Sequence, residues 1–227
     1  MGEREQRSAS PASLAPRDLR PFFRELYRDA GLPHRLLATW RASISPFEPL
    51  VASVPAGARA LDIGCGVGAL LLLLAASGRI REGTGCDNSA TAIHTAIIAQ
   101  ERLSRGATSF HCIGDLAEVP NGPFDTVLMI DVLHHIPAAR QQEAVLAAAQ
   151  RVAPGGVLIY KDMASQPAWR RWANTIHDLV LARQLVSYVA IADVEHWLER
   201  AGFVVVHRQS YSRCVYGHEF RVFKRLS

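Results

Sequence analysis

Three carboxylates stand at the ends of short apolar runs in the first half of the chain. They are Asp62 in Ala60-Leu61-Asp62-Ile63, Asp87 in Gly85-Cys86-Asp87 and Asp115 in Gly114-Asp115-Leu116. The first is followed by Gly64-Cys65-Gly66-Val67-Gly68. Glycines at this spacing let the backbone take up φ > 0 and approach a ligand closely. A helix starting directly after them offers N–H groups with no intrahelical partner. A ligand bearing an ammonium group would welcome Asp62, whereas a pyrophosphate would have to lie close to that carboxylate. Asp87 follows Gly64 by 23 residues, where an acid can accept both hydroxyls of a ribose. Asp115 can accept from an exocyclic adenine amine while the next backbone N–H serves a ring nitrogen. The glycine pattern alone also fits a dinucleotide, and both ligand classes use an acid at the position of Asp87.

These groups need a scaffold that brings strand ends to one edge. After Pro55-Ala56-Gly57 the sequence alternates short strands with helices. Strands are predicted over 59–63, 83–86, 108–113, 124–130 and 157–161, with helices over 67–77, 89–103 and 138–152, the last ended by Pro154-Gly155-Gly156. The run Phe124 to Ile130 is apolar throughout, the pattern of a strand buried on both faces. Asp193 reads as the N-cap of a helix to Ala201, closed by Gly202. Strands over 203–206 and 215–223 follow, the last antiparallel. Strands alternating with helices predict an α/β fold, a doubly wound and mostly parallel sheet.

Ahead of this domain, residues 1–18 lack periodicity and read as a disordered tail. Residues 19–54 carry Phe22, Phe23, Leu26 and Tyr27, then Leu36, Leu37 and Trp40, at helical spacing and form an N-terminal helical segment. Residues 55–227 form the main domain, with a helical insertion over 164–192.

The motifs, taken together and in order, resemble the class I S-adenosylmethionine-dependent methyltransferases, in their small-molecule form. LDIGCGVG is similar to that family's first motif, GCD to the second, GDLAEVP to the adenine motif and FDTVLMIDVLHHIP to the fourth-strand motif. RVAPGGVLIYKD is similar to the fifth-strand motif, and VEHWLERAGF to the helix that enters the C-terminal strand pair. The resemblance covers about residues 55 to 206. It implies a Rossmann-like sheet of seven strands, the helical segment 19–54 acting as a lid, and S-adenosyl-L-methionine as cofactor. It sets Asp62 and the backbone of Gly64, Cys65, Gly66 and Gly68 toward the methionine part. Asp87, with Asn88 beside it, would face the ribose, and Asp115 and Leu116 the adenine. Backbone near Met129 and Ile130 would help hold the amino group.

Methyl transfer from a sulfonium needs alignment of the acceptor, and often a base for its proton. The resemblance puts His134, in Leu133-His134-His135-Ile136, close to the reacting methyl group, and it is the candidate catalytic base. Tyr27, His177 and Tyr188 are candidate contacts to the acceptor. The acceptor is expected to be a small molecule, with an aromatic or lipophilic one in view because the 169–188 stretch is apolar on one face.

Composition sets limits on other classes. The chain of 227 residues is 49% hydrophobic and 20% charged, with a net charge of +4. Its arginines are interleaved with acids, and the one suggestive stretch, His207 to Arg225, is explained as well by a solvated sheet edge. The charge balance therefore decides nothing about a nucleic-acid partner. The segment after the fourth strand is Ile130-Asp131-Val132-Leu133, not the (Asp/Asn)-Pro-Pro-(Tyr/Phe) of base-amine methyltransferases. RNA or protein methylation, and a non-catalytic protein that binds the cofactor or its demethylated product, stay as alternatives. Cys65, Cys86, Cys112 and Cys214 show no metal-binding spacing, so no metal is expected and they read as buried thiols of a reducing cytoplasm. No apolar run has the length of a membrane span, roughly 20 residues.

Overall fold

The computed structural model describes residues 16–31, 47–103, 106–163, 187–213 and 216–227. Among these described residues two helices come first, α1 (Pro16–Leu26) and α2 (Phe47–Ser53). Alternation then begins with β1 (Ala58–Ile63), α3 (Ala69–Ala76), β2 (Ile80–Asp87), α4 (Ala90–Gln100) and β3 (Ala107–Cys112). It continues with β4 (Phe124–Ile130), α5 (Ala138–Gln150), β5 (Val152–Met163), α6 (Ile191–Arg200), β6 (Phe203–Arg213) and β7 (Tyr216–Arg225). The strands form one seven-stranded sheet in the order β3-β2-β1-β4-β5-β7-β6. Pairings of β2 with β3, β1 with β4 and β4 with β5 are parallel, and β7 runs antiparallel to both β5 and β6. The chain therefore winds outward from β1 in two directions, as a doubly wound α/β fold requires. By packing it falls into two compact units, residues 1–59 with 65–113, and residues 60–64 with 114–227.

In the first unit, helix α3 (ALLLLLAA) is apolar all round and is buried from Ala69 to Ala75. Strand β2 carries glycines where neighbours come close, α3 at Gly83 and the Phe110 ring of β3 at Gly85. A Cβ on Gly83 would stand 3.0 Å from Leu71, and one on Gly85 would stand 2.7 Å from the Phe110 ring. Ser89 caps α4 by accepting the Ala92 N–H at 3.2 Å. Helix α1 starts at Pro16, three residues before the helical periodicity begins, and buries Leu19, Phe22, Phe23, Leu26 and Tyr27. The Phe23 and Phe47 rings, 5.4 Å apart, join α1 to α2. Arg102, just past α4, pairs with Asp29 and Glu25 at the end of α1.

In the second unit, β4 is buried at Phe124 and from Thr126 to Met129, as its apolar run predicts. Three features differ from the sequence reading. Strand β5 starts at Val152, so Pro154-Gly155-Gly156 is a bulge inside it rather than a break before it. Phe124 pairs with Val152 and Thr126 with Val157, which leaves the extra β5 residues looped out around Gly155 at φ +73°. Asp193 is not the N-cap of α6: that position is Ala190, and Asp193 lies in the first turn, where its charge favours the helix dipole. The β6–β7 ribbon is longer than 203–206 and 215–223, because β6 lies at the edge of the sheet and can carry exposed His207, Arg208 and Gln209 within a paired strand.

Residues 1–15, most of the 164–192 insertion and His177 lie outside the described residues. Residues 187–190, at the end of that insertion, are not helical. Among the described residues no helix is long and apolar enough to cross a membrane.

Candidate cofactor site and active site

The glycine loop of the first unit is held by its neighbours through the main chain. Cys65 donates its N–H to the Cys86 carbonyl at 3.0 Å, and Gly68 closes a turn onto the Cys65 carbonyl at 2.9 Å. Asp87, half-buried at the end of β2, accepts the Gly66 N–H at 2.8 Å through Oδ2. Its Oδ1 accepts the Ser89 N–H, also at 2.8 Å. The Tyr27 hydroxyl, fully buried, donates to the Val67 carbonyl at 2.8 Å. Tyr27 therefore anchors α1 to the loop in this structure. Asn88 is exposed beside Asp87.

The loop glycines answer to different constraints. Gly68 is the N-cap of α3 at φ +76°, and a Cβ there would stand 2.7 Å from the Phe110 ring. Gly66 has φ +55°, and a Cβ on it would meet no atom of the described residues within 4 Å. Packing explains Gly68, whereas the space beside Gly66 is a cradle that a side chain would fill.

In the second unit, Asp62 is buried near the end of β1. Gly64 has φ +74°, and a Cβ on it would collide with the Val132 side chain. Asp115 is exposed: Oδ1 accepts the Ala117 N–H at 3.1 Å, capping the short 3₁₀ turn Leu116–Glu118. Oδ2 pairs with Arg140 at 3.0 Å. The Arg140 hydrogen bond, then that of the Ala117 N–H, holds the Asp115 carboxyl below its ordinary value. Leu116 is half-buried beside it. Met129 is buried and Ile130 half-buried at the end of β4, opposite Tyr160 and Lys161 of β5.

Beyond Ile130 the chain turns sharply. Asp131 has φ +56°, a left-handed conformation uncommon for a residue with a side chain. Its N–H donates to the Lys161 carbonyl at 2.7 Å, and the buried Lys161 ammonium meets its Oδ2 at 2.5 Å. A 3₁₀ turn over Leu133–His135 follows and presents His134, which is buried. Its Nδ1 lies 2.5 Å from Oδ1 of buried Asp162, and its backbone N–H donates to Oδ2 of the same carboxylate at 3.2 Å. Ser187 donates its N–H to the His134 carbonyl at 2.9 Å. Gln141 on α5 donates to the carbonyls of Leu133, Ile136 and Ser187. The Tyr188 ring lies nearly parallel to that of His134, 6.4 Å away, and the exposed His135 ring is 4.0 Å away. The second unit thus brings His134 and Tyr188 together, while Tyr27 belongs to the first.

Asp131, Lys161, Asp162, Arg140 and Gln141 were not singled out by the sequence reading. A signal existed for two of them: Lys161-Asp162 are adjacent charges closing an otherwise apolar strand, Val157 to Tyr160. Buried charges in such a run are costly unless paired. Cys65 and Cys86 are buried, whereas Cys112, expected to be buried, is exposed at the end of β3. Among the described residues no group of acids, histidines or cysteines could hold a metal ion.

A family profile described as a methyltransferase domain matches residues 32–208. The chain belongs to this methyltransferase family. Its sheet is the Rossmann-like one of the class I S-adenosylmethionine-dependent members, and the dinucleotide reading of the glycine pattern falls with the match. This methyltransferase-family chain is 32% identical over 149 residues to a ubiquinone biosynthesis O-methyltransferase of Aromatoleum aromaticum, covering 60% of each protein. It spans about half the length of three such curated relatives, from 44% to 60%, and 79% of one from Xanthomonas euvesicatoria pv. vesicatoria. Among solved structures it resembles magnesium protoporphyrin IX methyltransferase from Synechocystis PCC 6803, which holds SAH. The TM-score is 0.62 at 25% identity, over 83% of this chain and 80% of that one. The fold also matches N-methyltransferase NodS from Bradyrhizobium japonicum, with a TM-score of 0.63 at 20% identity, over 90% of this chain and 98% of that one.

Proposed function

We propose that this chain transfers a methyl group from S-adenosyl-L-methionine to a small-molecule acceptor in the cytoplasm, at an oxygen nucleophile of an aromatic or lipophilic compound. The observation that carries the cofactor assignment is the Gly66 cradle. A family motif places a glycine there, its N–H is fixed by Asp87, and no atom of the described residues occupies the space a side chain would fill. A buried carboxylate, Asp62, stands two residues before Gly64 and suits an ammonium group. When bound, the cofactor supplies an electrophilic methyl on sulfonium, so the protein's task is alignment and proton handling.

The residues divide that task. Gly66 and Gly68 give backbone access, Asp62 faces the methionine part and Asp87 with Asn88 the ribose. Asp115 and Leu116 face the adenine, and the backbone of Met129 and Ile130 holds the amino group. His134 takes the proton from the acceptor. Tyr188, parallel to His134, and His177 contribute to acceptor contact. Oxygen as the accepting atom draws its support from the relatives named for O-methylation in ubiquinone biosynthesis.

The test is incubation with methyl-labelled S-adenosylmethionine and extract of the source cells, followed by separation of small molecules from RNA and protein. Label in an organic-soluble small molecule is expected. Label sensitive to nuclease or protease would overturn the acceptor class. Tight cofactor binding with no labelled product from any fraction would favour a non-catalytic binding protein.

A further inference from the structure

Asp162 spends its whole carboxylate on a single loop position and the residue next to it. Oδ1 lies 2.5 Å from His134 Nδ1 and accepts the Met163 N–H at 2.7 Å. Oδ2 accepts the backbone N–H of His134 at 3.2 Å. A fastening for the loop alone would need only the backbone contact. The ring contact does something further, because an ionised carboxylate has acceptors and no donor. Nδ1 must then carry the ring's proton, which leaves the lone pair of the neutral imidazole on Nε2.

We propose that Asp162 is the positioning residue for His134, fixing its imidazole as the Nδ1–H tautomer with Nε2 as the atom offered to the acceptor. The inference rests on the reading of His134 as the acceptor's base. In that role an acceptor O–H bond breaks, its proton goes to Nε2, and the bonding pair stays on the acceptor oxygen. The surroundings fit a fixed ring. The His134 carbonyl is held by Ser187, and Gln141 ties the flanking carbonyls of Leu133 and Ile136. The adjacent Lys161 is engaged by Asp131 rather than by Asp162. The buried Tyr160 hydroxyl does not compete for the proton, because burial first, then the charge of Asp162, raises it well above the ordinary tyrosine value.

The experiment reads the tautomer directly and needs neither cofactor nor acceptor, so absence of methyl transfer would leave its result standing. With the histidines labelled with ¹⁵N, multiple-bond ¹⁵N–¹H correlation at a pH where the ring is neutral reports which nitrogen holds the proton. The signal missing in H134Q assigns the residue. In the folded wild type the Nδ1–H form is expected to outweigh the Nε2–H form about tenfold or more. A predominance of Nε2–H there overturns the proposal. In D162N one amide oxygen faces three donors, so the excess of Nδ1–H should fall by about tenfold. A folded D162N with the wild-type tautomer ratio also overturns it. If D162N does not fold, the wild-type spectrum decides alone.

Discussion

The Asp87 carboxylate accepts the Gly66 N–H at 2.8 Å, so the end of β2 sets the shape of the loop that follows β1. The other oxygen of the same carboxylate accepts the Ser89 N–H. An acid read from the sequence as a ribose acceptor therefore has a second task, ordering the loop and the entrance to α4. D87A should raise the dissociation constant for S-adenosylmethionine at least about tenfold, the scale of one charge-assisted hydrogen bond lost. Isothermal titration calorimetry checks this, and an unchanged constant would remove Asp87 from the site.

Gly66 and Gly64 separate binding from folding. G66A places a methyl group where no atom of the described residues lies within 4 Å, at a backbone strain of about 1 kcal/mol. It should unfold only slightly earlier on heating but bind cofactor far more weakly. G64A drives its methyl group into Val132 and should lower the melting temperature more than G66A does. If G66A binds cofactor as the wild type does, the cradle is not where the ligand lies.

Lys161 is buried against Asp131, and removal of one member of such a pair exposes the other to an uncompensated burial cost. K161M should destabilise the protein by about 3 kcal/mol in urea unfolding. K161M with D131N should recover part of that loss. A K161M protein of wild-type stability would show that the pair holds nothing together.

Tyr27 offers a milder perturbation. Y27F keeps the ring among Phe23 and its neighbours and deletes the hydrogen bond to the Val67 carbonyl. A loss of about 1 kcal/mol is expected from thermal or urea unfolding. If α1 orders the loop, cofactor affinity falls in parallel. Unaltered stability and affinity together would make that hydrogen bond incidental.

Acid sensitivity has a source at Glu195. The Arg208 hydrogen bond, then that of Arg221, outweighs partial burial and holds its carboxyl below the ordinary value of 4.5. A folded-state value below the unfolded one contributes stability above pH 4.5, which is lost as the pH falls through the folded value. Arg208 is largely exposed, so solvent screening keeps the contribution under about 1 kcal/mol. E195Q should therefore lower the melting temperature slightly at neutral pH and change it little well below pH 4.5, which flattens the acid limb. An acid limb identical to that of the wild type would contradict the assignment.

What the sequence disclosed was mostly local. The strand-to-helix passage through Gly64, Gly66 and Gly68, the all-apolar α3 and the doubly buried β4 each follow from one contiguous stretch. The Ser89 cap lies at the predicted start of its helix. The pairs His134–Asp162 and Asp131–Lys161 were out of reach because their members are 28 and 30 residues apart and meet through strand placement. Pro154-Gly155-Gly156 carries the composition of a loop, yet sheet pairing continues on both sides of it. Asp193 has the chemistry of a cap, but the helix begins earlier, at Ile191 after an extended Ala190.

The position of β7 between β5 and β6 bears on how the protein is made. Among the described residues strand β6 finds its hydrogen-bonding neighbour in β7, the later segment of the chain. During synthesis β6 emerges before the strand that will join it to the sheet, and β5 waits for the same partner along that edge. This side of the sheet therefore closes only after β7 has left the ribosome, whereas β1, β2 and β3 can pair well before. A released chain that ended before residue 216 would leave β5 and β6 without their shared partner, with unpaired strand backbone open to aggregation.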